Sequence, residues 1–375
     1  MSAPWLIVTG DFTPRGGMDA ANAALATHLA GRGGVGLVGH RVQADLAARS
    51  GVRVGLAARP VGMHVLGEPF LDRLGRREAA VTTAAGGRVV VNGGNCRWAD
   101  VNWLHYVHAA YDGPPQPGLV RGFKSRWHRT RSLRREREIV PASRVVVCNS
   151  RRTARDAVEL LGTPPDRVRV VYYGCDPAAF GPIAPAERRS ARAALGWSDG
   201  PRALFVGALG DDRKGFDTLY AAWKSLTASP GWDVRLGVVG HGAALKGWRA
   251  RAAADGLGDR VQFLGFRPDV PRLLAAADVL VHPARYEAYG LGVQEALCRG
   301  LPALVGASAG VAEHYPPDLA DLLVHDPNDA GELADRLRHW RGTLDWWPGR
   351  VAPLAEVLRE RTWDAMAAEF VRAVG

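Results

Sequence analysis

At 375 residues the chain is long enough for two domains of ordinary size, each with its own core. It has no run of 18 apolar residues, which excludes a membrane-spanning helix, and its four cysteines (Cys96, Cys148, Cys175, Cys298) lack metal-type spacing. A net charge of +10 favours anionic partners in general without choosing among them.

Met1 to Trp5 leads straight into a strand with no basic stretch and long apolar segment, so no signal peptide is expected. With scattered cysteines this points to reduced thiols in a cytoplasmic protein. Leu6 to Thr9 reads as the first strand. Gly16-Gly17 follows, then a helix over Ala20 to Ala30 with Leu25 and Leu29 on one face. Strand, glycine loop and helix together make a phosphate-approach site, although Gly-Gly before a helix is also an ordinary turn. Val52 to Leu56 and Arg88 to Val91 are read as strands, and Val61 to Ala85 mixes helical and irregular signals. Val101 to His108 runs from a strand into a turn. A histidine at the end of a parallel strand sits on the ligand side of an open α/β sheet. His105 is read as a hydrogen-bonded core residue and His108 as the one at the site.

Arg121 to Glu138 carries eight Lys and Arg residues against two acids, with Phe123, Trp127 and Leu133 between them. It is read as a solvated helix face, with contact between Arg121–Arg137 and an anionic membrane as the alternative. No nucleic-acid module accompanies the charge, so nucleic acid is not expected as a partner. Arg144 to Cys148 is a buried strand, and Ser150 is placed to cap the helix after it. Val168 to Tyr172 is the next strand. Gly181 to Pro201, with a short helix near Ala186 to Leu195, reads as the linker between domains.

Ala203 to Val206 opens the second domain, and Arg213 and Lys214 precede a helix over Phe216 to Ser225. Two cations beside a helix N-terminus suit a diphosphate, since arginine grips phosphate oxygens in pairs and lysine adds a compact charge. Asp211-Asp212 superficially suggests a metal site, but adjacent loop carboxylates are usually solvated. Val234 to Val239 leads into Gly240-His241-Gly242, and a further strand ends at Gln262 to Arg267. Between His282 and Gly310 come a strand end, Tyr286, Glu287 and Tyr289, then Gly290-Leu291-Gly292 opening a helix that holds Glu295. Bare amides at that helix start suit a phosphate, and the two carboxylates suit sugar hydroxyls. Glu295, about a turn into the helix, leans back toward the same pocket. The neutral reading of both glutamates is exposed helix-end charge. The last helix spans roughly Trp363 to Val374.

The stretch with His282-Pro283, Arg285, Glu287, Gly290-Leu291, Glu295-Ala296, Gly300-Leu301-Pro302, Gly310 and Glu313 resembles the E-x7-E motif of retaining family 4 (group 1) glycosyltransferases. The resemblance covers most of the chain and is strongest after Ala203. It implies an α/β GT-B fold: two doubly wound Rossmann-like domains facing a cleft, with the C-terminal helix crossing back to the N-terminal domain. Residues 1–190, with about 360–375, would bind the acceptor. Residues 200–358 would bind the nucleotide-sugar.

By the same resemblance, Glu295 would hold the donor ribose and Glu287 the donor sugar. Tyr289 and the amides of Gly290, Leu291 and Gly292 would meet sugar and phosphate. Arg213 and Lys214 would neutralise the leaving diphosphate. Gly16, Gly17, Gly240 and Arg15 would line the donor site, with Phe266 and Arg267 at the base. His108 would stand at the reaction centre, so His108, Glu287, Arg213 and Lys214 form the implied catalytic set. Two departures stand out: Ala208 replaces an arginine common in the family, and His241 an aspartate. The implied activity is a metal-independent, retaining hexosyl transfer from a donor such as a GDP- or UDP-sugar to an acceptor hydroxyl, with no cofactor. A sugar-nucleotide epimerase or hydrolase, or a non-catalytic sugar-nucleotide binder, is the alternative.

Overall fold

The computed structural model describes residues 4–13, 16–113, 119–210 and 212–375, with side chains at all of these but 64, 119–126 and 128. Contacts divide the chain into two units, Met1–Gly174 with Thr362–Gly375, and Cys175–Arg361.

In the first unit the elements in chain order are β1 (Trp5–Val8), β2 (Asp11–Phe12), α1 (Gly17–Ala30), β3 (Val35–Gly39), β4 (Arg41–Val42), α2 (Ala44–Ala47) and β5 (Val52–Leu56). Then come α3 (His64–Ala84), β6 (Arg88–Val91), β7 (Val101–Leu104), α4 (Leu119–Ile139), β8 (Val145–Cys148), α5 (Arg151–Leu161) and β9 (Val168–Val170). Seven strands form one parallel sheet in the order β5-β3-β1-β6-β7-β8-β9. Strands such as β8 (Val-Val-Val-Cys) are buried along their whole length, as expected where helices cover both faces. Ser150 caps α5, its hydroxyl accepting from the Thr153 amide at 2.9 Å.

Among the elements the sequence did not make legible are β3 and α3. β3 (Val-Gly-Leu-Val-Gly) is diluted by glycine, and α3 is a 21-residue helix despite Gly67, Pro69 and Gly75. Gly75 is pressed against Val8 and Cys96, where a Cβ would approach within 3 Å, so that helix packs closely on the sheet. Tertiary packing here overrides weak local propensity.

The second unit contains α6 (Pro185–Leu195), β10 (Arg202–Val206), α7 (Phe216–Thr227), β11 (Arg235–Val239), α8 (Leu245–Ala254), β12 (Val261–Gly265) and α9 (Val270–Ala276). It continues with β13 (Val279–His282), α10 (Leu291–Cys298), β14 (Ala303–Gly306), β15 (Leu323–Val324), α11 (Ala330–Gly342) and α12 (Trp347–Glu360). Its six-stranded parallel sheet runs β12-β11-β10-β13-β14-β15. α6, in the stretch read as a linker, belongs to this unit. Arg188 and Arg192 reach from it to Asp278 at 2.8 and 2.6 Å.

The last helix, α13 (Trp363–Val374), belongs to the first unit, where Phe370 packs on Trp103 with ring centroids 4.5 Å apart. The chain thus leaves the first unit after Gly174 and rejoins it at Thr362, and the Cys175 amide donates to the Arg361 carbonyl at 2.9 Å. In both sheets the strand order reverses direction once, between β1 and β6 and between β10 and β13. Loops at the carboxyl ends of strands flanking such a reversal form the natural ligand crevice of an open α/β sheet.

Candidate active site

The reversal in the second sheet brings together the loops after β10 and β13. A turn over Asp212–Lys214 follows β10 and docks on the loop after β13. Gly215 makes this approach possible: its φ is +68°, and a Cβ there would lie 2.0 Å from the Pro283 carbonyl oxygen. Arg285 secures the same junction. Its guanidinium holds the Asp217 carboxylate at 2.8 and 2.7 Å and the Asp212 carbonyl, and its amide donates to the Arg213 carbonyl at 2.8 Å.

The result places Lys214 Nζ 2.5 Å from Glu287 Oε2, with His282 Nε2 3.0 Å from the same oxygen. Burial alone would raise the Glu287 carboxyl. The Lys214 ammonium, the bond from His282 and the Arg213 charge outweigh it and hold the group far below the usual carboxylate range. Burial lowers the pKa of His282 more than Glu287 raises it, which favours the neutral ring. Arg213 donates to the Tyr286 carbonyl at 3.4 Å.

Gly290, at φ +109°, caps α10, and a Cβ on it would strike Val311 at 2.9 Å. The first amides of that helix, at Leu291 and Gly292, have no carbonyl one turn back within the helix, and Gly292 is exposed. Glu295 is on the same helix, half-buried, and burial pushes its carboxyl up to about 8, with Cys175 adding to the rise. Cys298, a turn further on, donates to Cys175, so two thiols lie beside this carboxyl.

The remaining sequence-named positions divide. Tyr289 is buried, its phenol spent on Gln294 and 3.3 Å from His314 Nε2. The Gly240 amide donates to the Gly265 carbonyl at 2.8 Å, tying the loops after β11 and β12. Phe266 is exposed and stands edge-on to His241 at 5.6 Å. The Arg267 guanidinium is occupied by Asp269 at 2.7 and 2.6 Å. Ala208 is exposed, and Asp211 lies outside the described residues.

In the first unit, Gly16 (φ +81°) caps α1, which begins at Gly17 after β2, and Arg15 lies outside the described residues. Close by, Asp19 is raised to about 6 by burial and then by Asp11. A cavity of about 300 Å³ opens beside the other loops of this sheet, lined by Met18, Asn92, His105, His108, Arg135 and Glu136 among others. His108 presents a half-exposed ring whose Nδ1 is 2.5 Å from Glu136 Oε1, while its amide donates to Oε2 at 2.9 Å. His105 is a core histidine, bonded to the Tyr173 hydroxyl at 2.6 Å and lowered by burial to about 3.

The family model for Glycosyl transferases group 1 matches residues 187–341, and that for Glycosyltransferase Family 4 matches residues 15–179. The chain belongs to the family 4, group 1 glycosyltransferases. It is 34% identical over 297 residues to a D-inositol 3-phosphate glycosyltransferase of Xylanimonas cellulosilytica, covering 73% of this chain and 66% of that protein. The chain spans 55% to 66% of the length of the first curated relatives it matches. Among solved structures, sucrose-phosphate synthase from Thermosynechococcus elongatus superposes with a TM-score of 0.77 at 20% identity, covering 99% of this chain and 98% of that one. Anabaena Alr3699/HepE in complex with UDP and glucose gives 0.71 at 18%, covering 99% of each chain. The fold is GT-B.

In this chain the structure gathers Lys214, Glu287 and the start of α10 at one sheet reversal, with Arg213 beside them. It turns the Tyr289 side chain inward and commits Arg267 to Asp269. Sequence reading assigned no role to His282, which completes the Lys214–Glu287 cluster, or to Glu136, which holds His108. His282 was visible as the end of an apolar strand and as part of the family motif, but neither signal gave it a task. Glu136 was hidden in a basic segment, where an acid looks like routine charge balancing.

Proposed function

We propose that the chain transfers a sugar from a nucleotide-sugar to an acceptor hydroxyl, with retention of configuration and without a metal ion. The observation that carries this reading is the Lys214–Glu287–His282 cluster placed beside the amino end of α10. Lys214, Arg213 and the helix amides stabilise negative charge growing on the departing diphosphate. Glu287, kept ionised, orients donor hydroxyls and is not the nucleophile. On the face the diphosphate leaves, the acceptor oxygen bonds to the anomeric carbon as the carbon–oxygen bond to phosphate breaks. The acceptor proton passes to the leaving phosphate oxygen. Glu295, with its raised pKa, meets the ribose as a neutral carboxylic acid near pH 7, able to donate as well as accept.

The acceptor is assigned to the cavity beside His108. Its mixture of amide, imidazole and guanidinium groups suits a polyhydroxylated molecule, in keeping with the polyol phosphate in the name of the Xylanimonas relative. Glu136 accepts from His108 Nδ1 and thereby leaves Nε2 for the substrate side. An anionic membrane is the alternative partner for exposed Trp127, Arg134 and Arg137. Arg131 and Arg135 are already engaged by Glu68, and Arg121, Lys124 and Arg126 lie outside the described side chains. Sedimentation with anionic vesicles decides that point.

A thermal-shift panel of GDP-, UDP-, ADP- and dTDP-sugars identifies the donor, because a ligand of the folded state raises its stability. With that donor, Lys214→Ala and Glu287→Gln are expected to lower transfer by about a hundredfold or more. Unchanged transfer by both variants would overturn the assignment. Donor turnover without any acceptor would indicate a hydrolase or epimerase.

A further inference from the structure

The opposite end of the second sheet, away from Lys214 and Glu287, carries another concentration of cations. Arg202 and Arg235 are the first residues of β10 and β11 and are paired in register. Arg260 immediately precedes β12, and its carbonyl accepts from the Leu236 amide at 2.9 Å. Parallel pairing therefore sets three arginines side by side along one edge. With Ser198, Trp232 and Asp233 they line a recess of about 440 Å³.

The local carboxylates do not neutralise these arginines. Asp233 is gripped by Arg341 through two bonds of 2.7 Å. Asp278 accepts the Arg202 amide at 2.8 Å, but its oxygens are shared with the guanidinium groups of Arg188 and Arg192. Among the described residues Arg235 and Arg260 make no ion pair. Arg202 is only 4% exposed, stacks 5.2 Å over the Trp197 ring and gives one bond to the Ser198 hydroxyl at 3.1 Å. Its Nε has no acceptor, nor has the buried indole N–H of Trp232. Buried donors left unmet are uncommon and call for an explanation. Burial, followed by the charges of Arg235 and Arg192, depresses the Arg202 pKa, and Asp278 offsets this only in part.

We propose that this recess is a binding site for a small phosphate-bearing anion, separate from the site formed by Lys214 and Glu287. Guanidinium groups on adjacent strand ends match the paired oxygens of a phosphate. A bound dianion supplies the negative charge this edge lacks. The volume accommodates a phosphate ester as well as the free ion, so both sources share the chemistry.

The test titrates inorganic phosphate, pyrophosphate and a hexose phosphate into the full chain by calorimetry at fixed ionic strength. A Lys214→Ala background weakens phosphate capture at the other site. In that background, Arg235→Gln with Arg260→Gln is expected to weaken binding of the best of the three by about tenfold. Both residues lie at the surface or half-exposed, and the unliganded melting temperature checks the fold. If the double variant is unstable, Arg260→Gln alone is read the same way. Tighter binding of the hexose phosphate assigns the recess to an ester, and tighter binding of an inorganic ion assigns it to the free anion. Binding that Lys214→Ala abolishes outright, or that survives unchanged without Arg235 and Arg260, overturns the proposal.

Discussion

Glu287 remains a carboxylate although its side chain is only 13% exposed, because Lys214 and His282 converge on one of its oxygens. Its pKa is depressed, so the stability it contributes is present above the unfolded value of 4.5 and is lost only well below it. Glu295 has the opposite behaviour. Its folded pKa of about 8 lies above the unfolded 4.5, so the folded chain retains a proton that the unfolded chain has lost. Its contribution is complete below 4.5 and is lost as pH rises through about 8. Denaturant titrations between pH 5 and pH 8 should show stability falling by up to about 1.4 kcal/mol per unit from this group. Glu295→Gln should flatten that slope. An unchanged slope in the variant would mean that Glu295 ionises normally.

At the scale of elements, the site depends on one turn fitting against another. Gly215→Ala places a Cβ on the Pro283 carbonyl and imposes a left-handed backbone on a residue that resists it. The expected outcome is a loss of at least about 1 kcal/mol, with weakened donor binding because Lys214 moves away from Glu287. Denaturation and thermal shift measured on the same variant separate the two effects. Much of this geometry was readable beforehand: apolar runs such as Val145 to Cys148, the Ser150 cap and the glycine opening of α10 each carry a local signal. The Arg285 strap, the inward turn of Tyr289 and the capture of Arg267 by Asp269 were not readable. They depend on partners that approach only in the folded chain. Likewise, the basic look of residues 121–138 overstated the free charge, because Glu68 and Asp72, far away in sequence, take up Arg131 and Arg135.

For the whole molecule, the final helix is part of the first unit's core. Phe370 is fully buried against Trp103, so Phe370→Ala should cost about 3–5 kcal/mol and lower the melting temperature of that unit. A second effect follows from where the polypeptide passes out and returns. Because Cys175 and Arg361 are joined by a backbone hydrogen bond, everything between them is a closed insert with its ends already meeting. Expressed by itself, the 175–361 fragment should melt in one cooperative transition and still take up nucleotide, without any splice to mend. Under the proposed function, such an insert could be exchanged as a single block, carrying the choice of donor with it and leaving the host's own ends in place.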